Sequence, residues 1–329
     1  NDFVTARQTV KEFSGTVNID GNIVIDKVAK IYPGTIFKLE KKSNIIFKNK
    51  VTANGTAERP IIFTRSNTGG KAWGTIALQG KKTIGSEFNN IVMEGGSGGY
   101  VDEIFYTSMF SLHNTEDIKI KKLIIKNNYE YDDMIHIVYC NNIIIDESLL
   151  SNSYADAIDI DMSKNIIIRN SIFFRPGNDS IDLMESEVLI ESSHILNSYD
   201  KGVSVGESSN VLIHNSYFKK NNIALAIKDK SKAHVLYSNF DNNKTHFSGY
   251  TKNLQYGGAG GTAHIYRSFI KGKLNQIISI NDSKILIDDS SVIGKNDLVG
   301  QNIIFKSNVS FDETKKFLSK NNLSIDHPL

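Results

Sequence analysis

One phrase recurs five times between residues 131 and 229: YDDMIHIVY (131–139), YADAIDIDM (154–162), GNDSIDLME (177–185), YDKGVSVGE (199–207) and NNIALAIKD (221–229). In every copy, apolar residues stand two and four places after the third residue, as Ile135 and Ile137 do, or Ile158 and Ile160. This alternation is typical of a β-strand whose apolar side chains point to one face. The residues between them point to the other face, and in the second and third copies they are acidic. The sequence therefore predicts a ladder of carboxylates along one face of a stack of short strands.

The copies recur with a regular period. Their third residues lie 23, 23, 22 and 22 positions apart and are Asp133, Asp156, Asp179, Lys201 and Ile223. A serine recurs on nearly the same period, at Ser148, Ser171, Ser193, Ser216, Ser238, Ser268 and Ser290. A repeat of this length with three short strands predicts an all-β, single-domain parallel β-solenoid. Leucine-rich repeats share the period, but they need helical segments and a leucine/asparagine consensus that these turns lack.

The two ends of the chain are expected to close the solenoid. Residues 1–15 form the predicted N-terminal cap, with a short amphipathic helix over 1–13, because an open sheet edge invites aggregation. The solenoid itself is predicted over 16–300. The remaining segment, 301–329, is predicted as a C-terminal cap or tail, with a helix over 310–322 that begins at Asp312.

Two insertions interrupt the period, over 94–107 and 246–261. Insertions in solenoids collect on the binding face, so we expect them to form two walls of a cleft whose floor is the ladder. The second insertion contains Tyr250, Lys252 and Tyr256, which are candidates for stacking on and pairing with an acidic sugar.

Composition restricts the partners. The 329-residue chain has a formal charge of +2 with 22% charged residues, so no global field favours nucleic acid or a membrane surface. It contains no apolar run of eighteen residues, which argues against a membrane span. One cysteine, Cys140, excludes an internal disulfide. Because the sequence begins at Asn1, we expect that a secretion signal was removed and that the protein is secreted, periplasmic or at the cell surface.

The ladder concentrates negative charge. Side chains one turn apart are separated by about 4.8 Å, and two carboxylates at about 5 Å repel by roughly 3 kcal/mol at an effective dielectric constant near 20. The acids expected on this face are Asp156, Asp159, Asp161, Asp179 and Asp182. They must share protons, bind a cation, or pair with Lys201 and Lys228.

Each of these options corresponds to a function. Asp159, Asp161 and Asp182 offer the oxygen ligands that Ca²⁺ prefers, and Ca²⁺ bound to a uronate acidifies its C5 proton. Lys201 or Lys228 then acts as the base of a β-elimination or, less favoured, of a C5 epimerisation. An acid–base pair of aspartates would instead hydrolyse a glycosidic bond. A non-catalytic module that binds glycan along the same face is a further alternative.

The repeats resemble the pectate-lyase-like right-handed parallel β-helix superfamily over most of 16–300. The phrase GTAERPIIFT (55–64) followed by KAWGTIAL (71–78) is similar to the opening turns of secreted bacterial members. Four phrases resemble, in order, the N-T-D-G, G-D-D, G-H-G and R-I-K motifs of polygalacturonase-type hydrolases; they are ADAIDID (155–161), GNDSIDL (177–183), DKGVSVG (200–206) and AIK (226–228).

The resemblance implies catalytic positions at Asp156, Asp179 and Lys228, and His136 is a further candidate because it lies above Asp159 in the ladder. Asn178 replaces the usual general acid, Lys201 the histidine and Ala226 the arginine. The aspartates beside a lysine are more similar to calcium-dependent polysaccharide lyases. We therefore expect an enzyme that cleaves an extracellular acidic, uronate-containing polysaccharide by β-elimination.

Overall fold

The computed structural model describes residues 10–67, 69–128 and 130–306. They form an all-β parallel solenoid of about 12 turns, and three parallel sheets run along its length. We call the sheet that carries the five repeated phrases the ladder sheet; its strands are Asn22–Ile25, Asn44–Phe47, Ile76–Gln79, Ser108–His113, Asp133–Val138, Ile158–Asp161, Ile181–Met184, Lys201–Gly206, Ile223–Lys228 and Thr245–Tyr250.

The other two sheets complete each turn. The strands of the second sheet are Lys11–Phe13, Ala29–Ile31, Val51–Asn54, Asn141–Asp146, Lys164–Arg169, Glu187–Glu191, Asn210–His214, Lys232–Leu236, Thr262–Tyr266, Lys284–Asp288 and Ile303–Lys306. Those of the third are Thr16–Ile19, Ile36–Leu39, Ile61–Arg65, Leu149–Ser151, Ile172–Phe174, His194–Leu196, Tyr217–Lys219 and Asn239–Asp241.

Four longer strands bend from one sheet into the next. Glu87–Glu94 and Glu116–Lys126 join the second and third sheets, and Phe269–Ser279 and Ser291–Gly300 join the third sheet to the ladder sheet. A separate hairpin pairs Gly99–Val101 with Ile104–Tyr106, and single turns of 3₁₀-helix occur at Lys81–Thr83 and Leu254–Tyr256. Among the described residues, no helix has the length and apolar character needed to cross a bilayer.

The core lies inside the coil and follows the apolar alternation. Ile135, Ile158, Ile181 and Val203 lie in register on consecutive ladder strands and are fully buried. Similar apolar side chains thus stack on one another from one turn to the next.

The recurrent serines stabilise the turns between the second and third sheets. The backbone N–H of Ser171 donates to the hydroxyl of Ser193 at 3.2 Å, and that of Ser148 donates to Ser171 at 3.1 Å. The pattern continues through Ser216, Ser238, Ser268 and Ser290. The residue before each serine takes the left-handed conformation, as at Asn170 (φ 51°) and Asn215 (φ 48°), which asparagine adopts more readily than most residues. Buried turn amides thereby find acceptors.

The predicted N-terminal helix is wrong where the structure describes it. Lys11–Phe13 is a strand that pairs in parallel with Ala29–Ile31, and the buried ring of Phe13 packs 5.3 Å from that of Phe37. Here sheet pairing and core burial outweigh local helix propensity. Residues 1–9 and the predicted helix over 310–322 lie outside the described residues.

Candidate functional site

The predicted column of side chains on the outer face of the ladder sheet is present. His136, Asp159, Asp182 and Ser204 are direct partners on consecutive strands. Beside them, Val138, Asp161, Met184 and Gly206 form a second column. Since both columns alternate with core residues, their side chains point out of the coil. We call this outer face of the ladder sheet the trough.

The acids at the start of the ladder strands are buried and bonded to the turns. Asp133, Asp156 and Asp179 are 2%, 8% and 2% exposed. One oxygen of Asp156 accepts hydrogen bonds from the Asp179 amide N–H at 2.7 Å and from Asn178 at 2.8 Å. One oxygen of Asp179 accepts from the Lys201 amide N–H at 2.8 Å. These carboxylates therefore fix the turns as well as line the trough.

The acids gather into two groups. His136, Asp159 and Asp161 each offer a ligand atom within 4.8 Å of the other two. Asp156, Asp179 and Asp182 form a second set with the same spacing. The predicted metal ligands are thus divided, because Asp182 lies with Asp156 and Asp179 while Asp159 and Asp161 lie with a histidine.

Burial and mutual repulsion raise the pKa of several acids. Burial is the larger cause for Asp159, and the neighbouring Asp161 and Asp182 add to it, so that its pKa rises to about 9. Burial likewise raises the pKa of Asp179 to about 7 and that of Asp156 to about 6, although hydrogen bonds oppose the shift. The pKa of Asp133 is also raised well above its usual value, chiefly by burial. Asp133 and Asp159 are therefore protonated at neutral pH.

Lys201 is held in ion pairs. Its Nζ lies 3.3 Å from Asp179 and also contacts the neighbouring Asp200. Burial acts to lower its pKa, but the two carboxylates outweigh burial and raise it. This arrangement favours charge neutralisation over proton abstraction.

Lys228 lies in the trough, on the ladder strand two turns beyond that of Asp182. Its side chain is 2% exposed, crosses Gly206 and brings Nζ to 3.9 Å from Asp182. A Cβ at Gly206 would lie 2.9 Å from the Lys228 Cε, so glycine at 206 leaves the passage for this side chain. Among the lysines of the described trough, Lys228 is thus the better-placed candidate base.

His136 contacts both an acid of its own group and the residue that follows the hairpin. Its Nε2 lies 3.3 Å from Asp161, and its Nδ1 lies 3.2 Å from the hydroxyl of Thr107. The ring of His113 approaches edge-on at 5.3 Å; burial lowers the pKa of His113 to about 4, with His136 contributing to the shift. His136 is oriented by Thr107, a residue that the repeat pattern did not single out.

The insertions lie at different places on the trough. The hairpin over 99–106 precedes the ladder strand Ser108–His113, and its Val101 and Tyr106 pack on Ile46 and Ala77 of the ladder sheet, whereas residues 251–261 follow the ladder strand Thr245–Tyr250. The predicted start of the second insertion, at His246, is wrong, because 246–250 pair with Ile223–Lys228 and continue the ladder. The period alone could not show which residues of the longer turn were additional.

The candidate sugar-binding residues lie apart from one another. Tyr250 ends a ladder strand, and burial raises its pKa to about 12 while Lys201 opposes the shift. Tyr256 donates to Glu185 across the edge of the trough. Lys252 is anchored through its backbone N–H, which donates to Asp229 at 2.8 Å. Tyr250 therefore lies nearer the charged centre than the other two.

Known proteins share this architecture. The family model for a right-handed β-helix region matches residues 108–270. The structure of endo-xylogalacturonan hydrolase from Aspergillus tubingensis has a TM-score of 0.54 at 13% identity and covers 86% of this chain and 92% of its own. The catalytic domain of Agl-KA has a TM-score of 0.51 at 14% identity, and the match covers 86% of this chain and 62% of that domain's chain. An alginate lyase from Paenibacillus sp. str. FPU-7 has a TM-score of 0.46 at 12% identity, with 84% and 93% covered.

The family model and the two structures with TM-scores above 0.5 establish the fold. The chain has the right-handed parallel β-helix fold that the resemblance implied. No curated protein matches its sequence. At sequence identities of 13% and 14%, the similarity defines the architecture alone, and the side chains of the trough determine the chemistry.

Proposed function

We propose that this protein is a carbohydrate-active enzyme that cleaves a uronate-containing polysaccharide by β-elimination in the trough. One observation carries the proposal: the Nζ of the buried Lys228 lies 3.9 Å from Asp182, which forms a cluster of three carboxylates with Asp156 and Asp179. A lysine beside a cluster of oxygen ligands is the pairing that elimination from a uronate needs. The fold shared with a xylogalacturonan hydrolase supports a polysaccharide substrate, and such a substrate favours an extracellular location.

The second group fits a calcium ion. Asp156, Asp179 and Asp182 supply only oxygen ligands, whereas the first group includes His136, a nitrogen ligand that Ca²⁺ does not prefer. The hydroxyl of Ser204, beside Asp182 in the ladder, is fully buried and has no hydrogen-bond partner among the described residues. A bound Ca²⁺ would neutralise the substrate carboxylate and acidify its C5 proton.

Two residues carry out the two proton transfers of the elimination, one as the base and the other as the acid. The amine of Lys228 acts as the general base and takes the C5 proton, and the electron pair of that bond forms the C4–C5 double bond. The bond from C4 to the glycosidic oxygen then breaks, and this oxygen gains a proton. Asp159, whose raised pKa keeps it protonated at neutral pH, is the candidate donor. Lys201 stays charged in its pairs with Asp179 and Asp200 and binds substrate carboxylates or balances the acids.

A second candidate is hydrolysis, and the raised pKa of Asp159 favours it. A protonated acid beside ionised carboxylates is the arrangement in which one group protonates a glycosidic oxygen and another activates water. In this case Lys228 would have no proton to abstract from carbon. The two reactions leave different products.

Product analysis tests the proposal. The wild-type protein is incubated with polygalacturonate, alginate and glucuronate-containing polymers, with and without added Ca²⁺. Elimination produces new chain ends that absorb ultraviolet light, because their double bond is conjugated with the carboxylate. New reducing ends without this absorbance would establish hydrolysis. Incorporation of solvent deuterium at C5 without chain cleavage would instead indicate epimerisation, and no change in any polymer would contradict an enzyme of this class.

A further inference from the structure

Exposed tyrosines recur along the edge where the chain enters the ladder sheet. Tyr131, Tyr154 and Tyr199 are each the first residue of one of the repeated phrases, and they are 38%, 60% and 80% exposed. The equivalent residue of the turn between Tyr154 and Tyr199 is Gly177. We call these four positions the tyrosine rim. Large exposed aromatic rings are costly to leave in water, and their repetition at one place in the turn calls for a reason.

The turns that carry the rim are stacked in register. The amide N–H of Gly177 donates to the carbonyl of Ser153 at 3.0 Å, and that of Tyr199 donates to the carbonyl of Pro176 at 3.3 Å. The rim therefore follows the axis of the β-helix. With turns about 4.8 Å apart, it extends about 14 Å from Tyr131 to Tyr199.

Gly177 leaves a gap in the row of rings. A Cβ there would lie 2.0 Å from the carbonyl oxygen of Tyr154, so only glycine fits under the preceding turn. The tyrosine rings of the turns on either side are two turns, or about 10 Å, apart. A flat ring can therefore lie between them or on either one.

The rim directly borders the acids of the trough. Tyr154 precedes Asp156 by two residues, so the backbone separation is at most about 7 Å. At the hairpin end, the ring of Tyr131 contacts that of Phe105 edge-on at 5.6 Å, and the ring of Tyr100 stacks on Phe105 at 4.5 Å. An apolar strip thus runs alongside a carboxyl-lined floor.

We propose, on the basis of the proposed function, that the tyrosine rim is the platform on which successive sugar rings of the polysaccharide stack, with the chain lying along the β-helix axis. One face of a pyranose ring presents C–H groups that pack on an aromatic face, while its hydroxyls and carboxylate stay free for polar partners. The rim binds the C–H faces, and the trough receives the carboxylates. Its length requires several sugar residues, so the favoured substrate is a polymer cut at internal bonds.

Affinity electrophoresis through gels that contain polysaccharide tests the platform. Wild type, Tyr154→Ala/Tyr199→Ala and the matched double variant Tyr154→Phe/Tyr199→Phe are run against uronate polymers and neutral glucans. We expect uronate polymers to retard the wild type, the alanine variant to lose about tenfold in affinity, and the phenylalanine variant to retain it. Tyr139→Ala, which removes an exposed tyrosine at the other edge of the trough, is the position control.

The outcomes separate the platform from the reaction. If uronate polymers retard wild type and the alanine variant equally, the platform is wrong while the proposed reaction stands. If only neutral glucans cause retardation, and the alanine variant loses it, the platform stands and the acidic substrate is wrong. No retardation by any polymer contradicts both. A wild-type dimer in sedimentation that the alanine variant abolishes would assign the rim to self-association and overturn the platform.

Discussion

Two columns of polar residues run along this β-helix with nearly the same period, and they differ in how their polar atoms are satisfied. In the serine column, each hydroxyl from Ser171 onward accepts the N–H of the preceding serine, as Ser193 does for Ser171. In the trough, burial and neighbouring charges raise the pKa of Asp159 to about 9 and that of Asp179 to about 7. The serines stabilise the coil, whereas the aspartates destabilise it locally when ionised. Repetition is therefore common to both regions, and unrelieved charge is what distinguishes the trough from the serine column.

The largest expected effect is on the reaction. Removing the Lys228 amine in Lys228→Met should lower cleavage of a uronate polymer by about 10²–10⁴-fold, because a general base contributes that much. The fold should persist, since methionine keeps the length of the side chain. Initial rates of unsaturated-product formation measure the effect, and Lys232→Met, on an exposed position of the second sheet, is the control. Unchanged rates in Lys228→Met would assign the proton transfer to another group.

Bound calcium should relieve the repulsion among the carboxylates of the trough and so raise the stability of the fold. If Asp156, Asp179 and Asp182 bind Ca²⁺, a concentration one hundred times the Kd should raise the free energy of unfolding by about 2.7 kcal/mol. Chemical denaturation with Ca²⁺ and with a chelator measures the change. Asp182→Asn should greatly reduce the response, while Asp161→Asn, in the other group, should retain it. Equal responses in both variants would refute this choice of ligands.

The acids should also make stability fall as pH rises. Asp159 has its pKa raised from 3.8 to about 9, so between these values it is protonated when folded and ionised when unfolded. Each such group lowers the free energy of unfolding by about 1.4 kcal/mol per pH unit. Asp159→Asn should therefore flatten the decline in stability between pH 5 and 9, as measured by denaturation at several pH values. The same slope in wild type and variant would mean that Asp159 is ionised throughout.

The smallest effect is expected in the serine column. Ser193→Ala leaves the Ser171 N–H without its side-chain acceptor in a buried turn and should cost about 1–3 kcal/mol. Because no charge is involved, the loss should be the same at every pH in that range. Denaturation of Ser193→Ala beside Asp159→Asn compares the two columns directly. A pH-dependent loss in the serine variant would undermine the distinction between them.

Much of this architecture could be predicted from the sequence because side chains one turn apart are stacked. The pairing of Asp159 with Asp182 and the chain of serine hydrogen bonds both follow from the period. The strand at Lys11–Phe13 could not be predicted from local pattern, since its partner, Ala29–Ile31, and not its own periodicity, determines its conformation.

The candidate site was predictable in part. The period placed the acids on one face, but it did not show that Asp182 groups with Asp156 while Asp159 groups with His136. That division depends on side-chain directions. The pairing of Lys201 with Asp200 lies within one turn, where the comparison of successive turns gives no signal. The tyrosine rim could have been found, because its three tyrosines are the first residues of three of the five repeated phrases.

The central claim is that carboxyl groups crowd in the trough strongly enough to hold protons at neutral pH. Carbon-13 NMR of the side-chain carboxyls in aspartate-labelled protein, titrated without divalent cations, measures this directly. We predict at least one resonance that titrates above pH 7 and that disappears in Asp159→Asn, in line with a pKa of about 9. If every aspartate titrates below pH 5, the acids are separately solvated and the proposed trough chemistry is wrong.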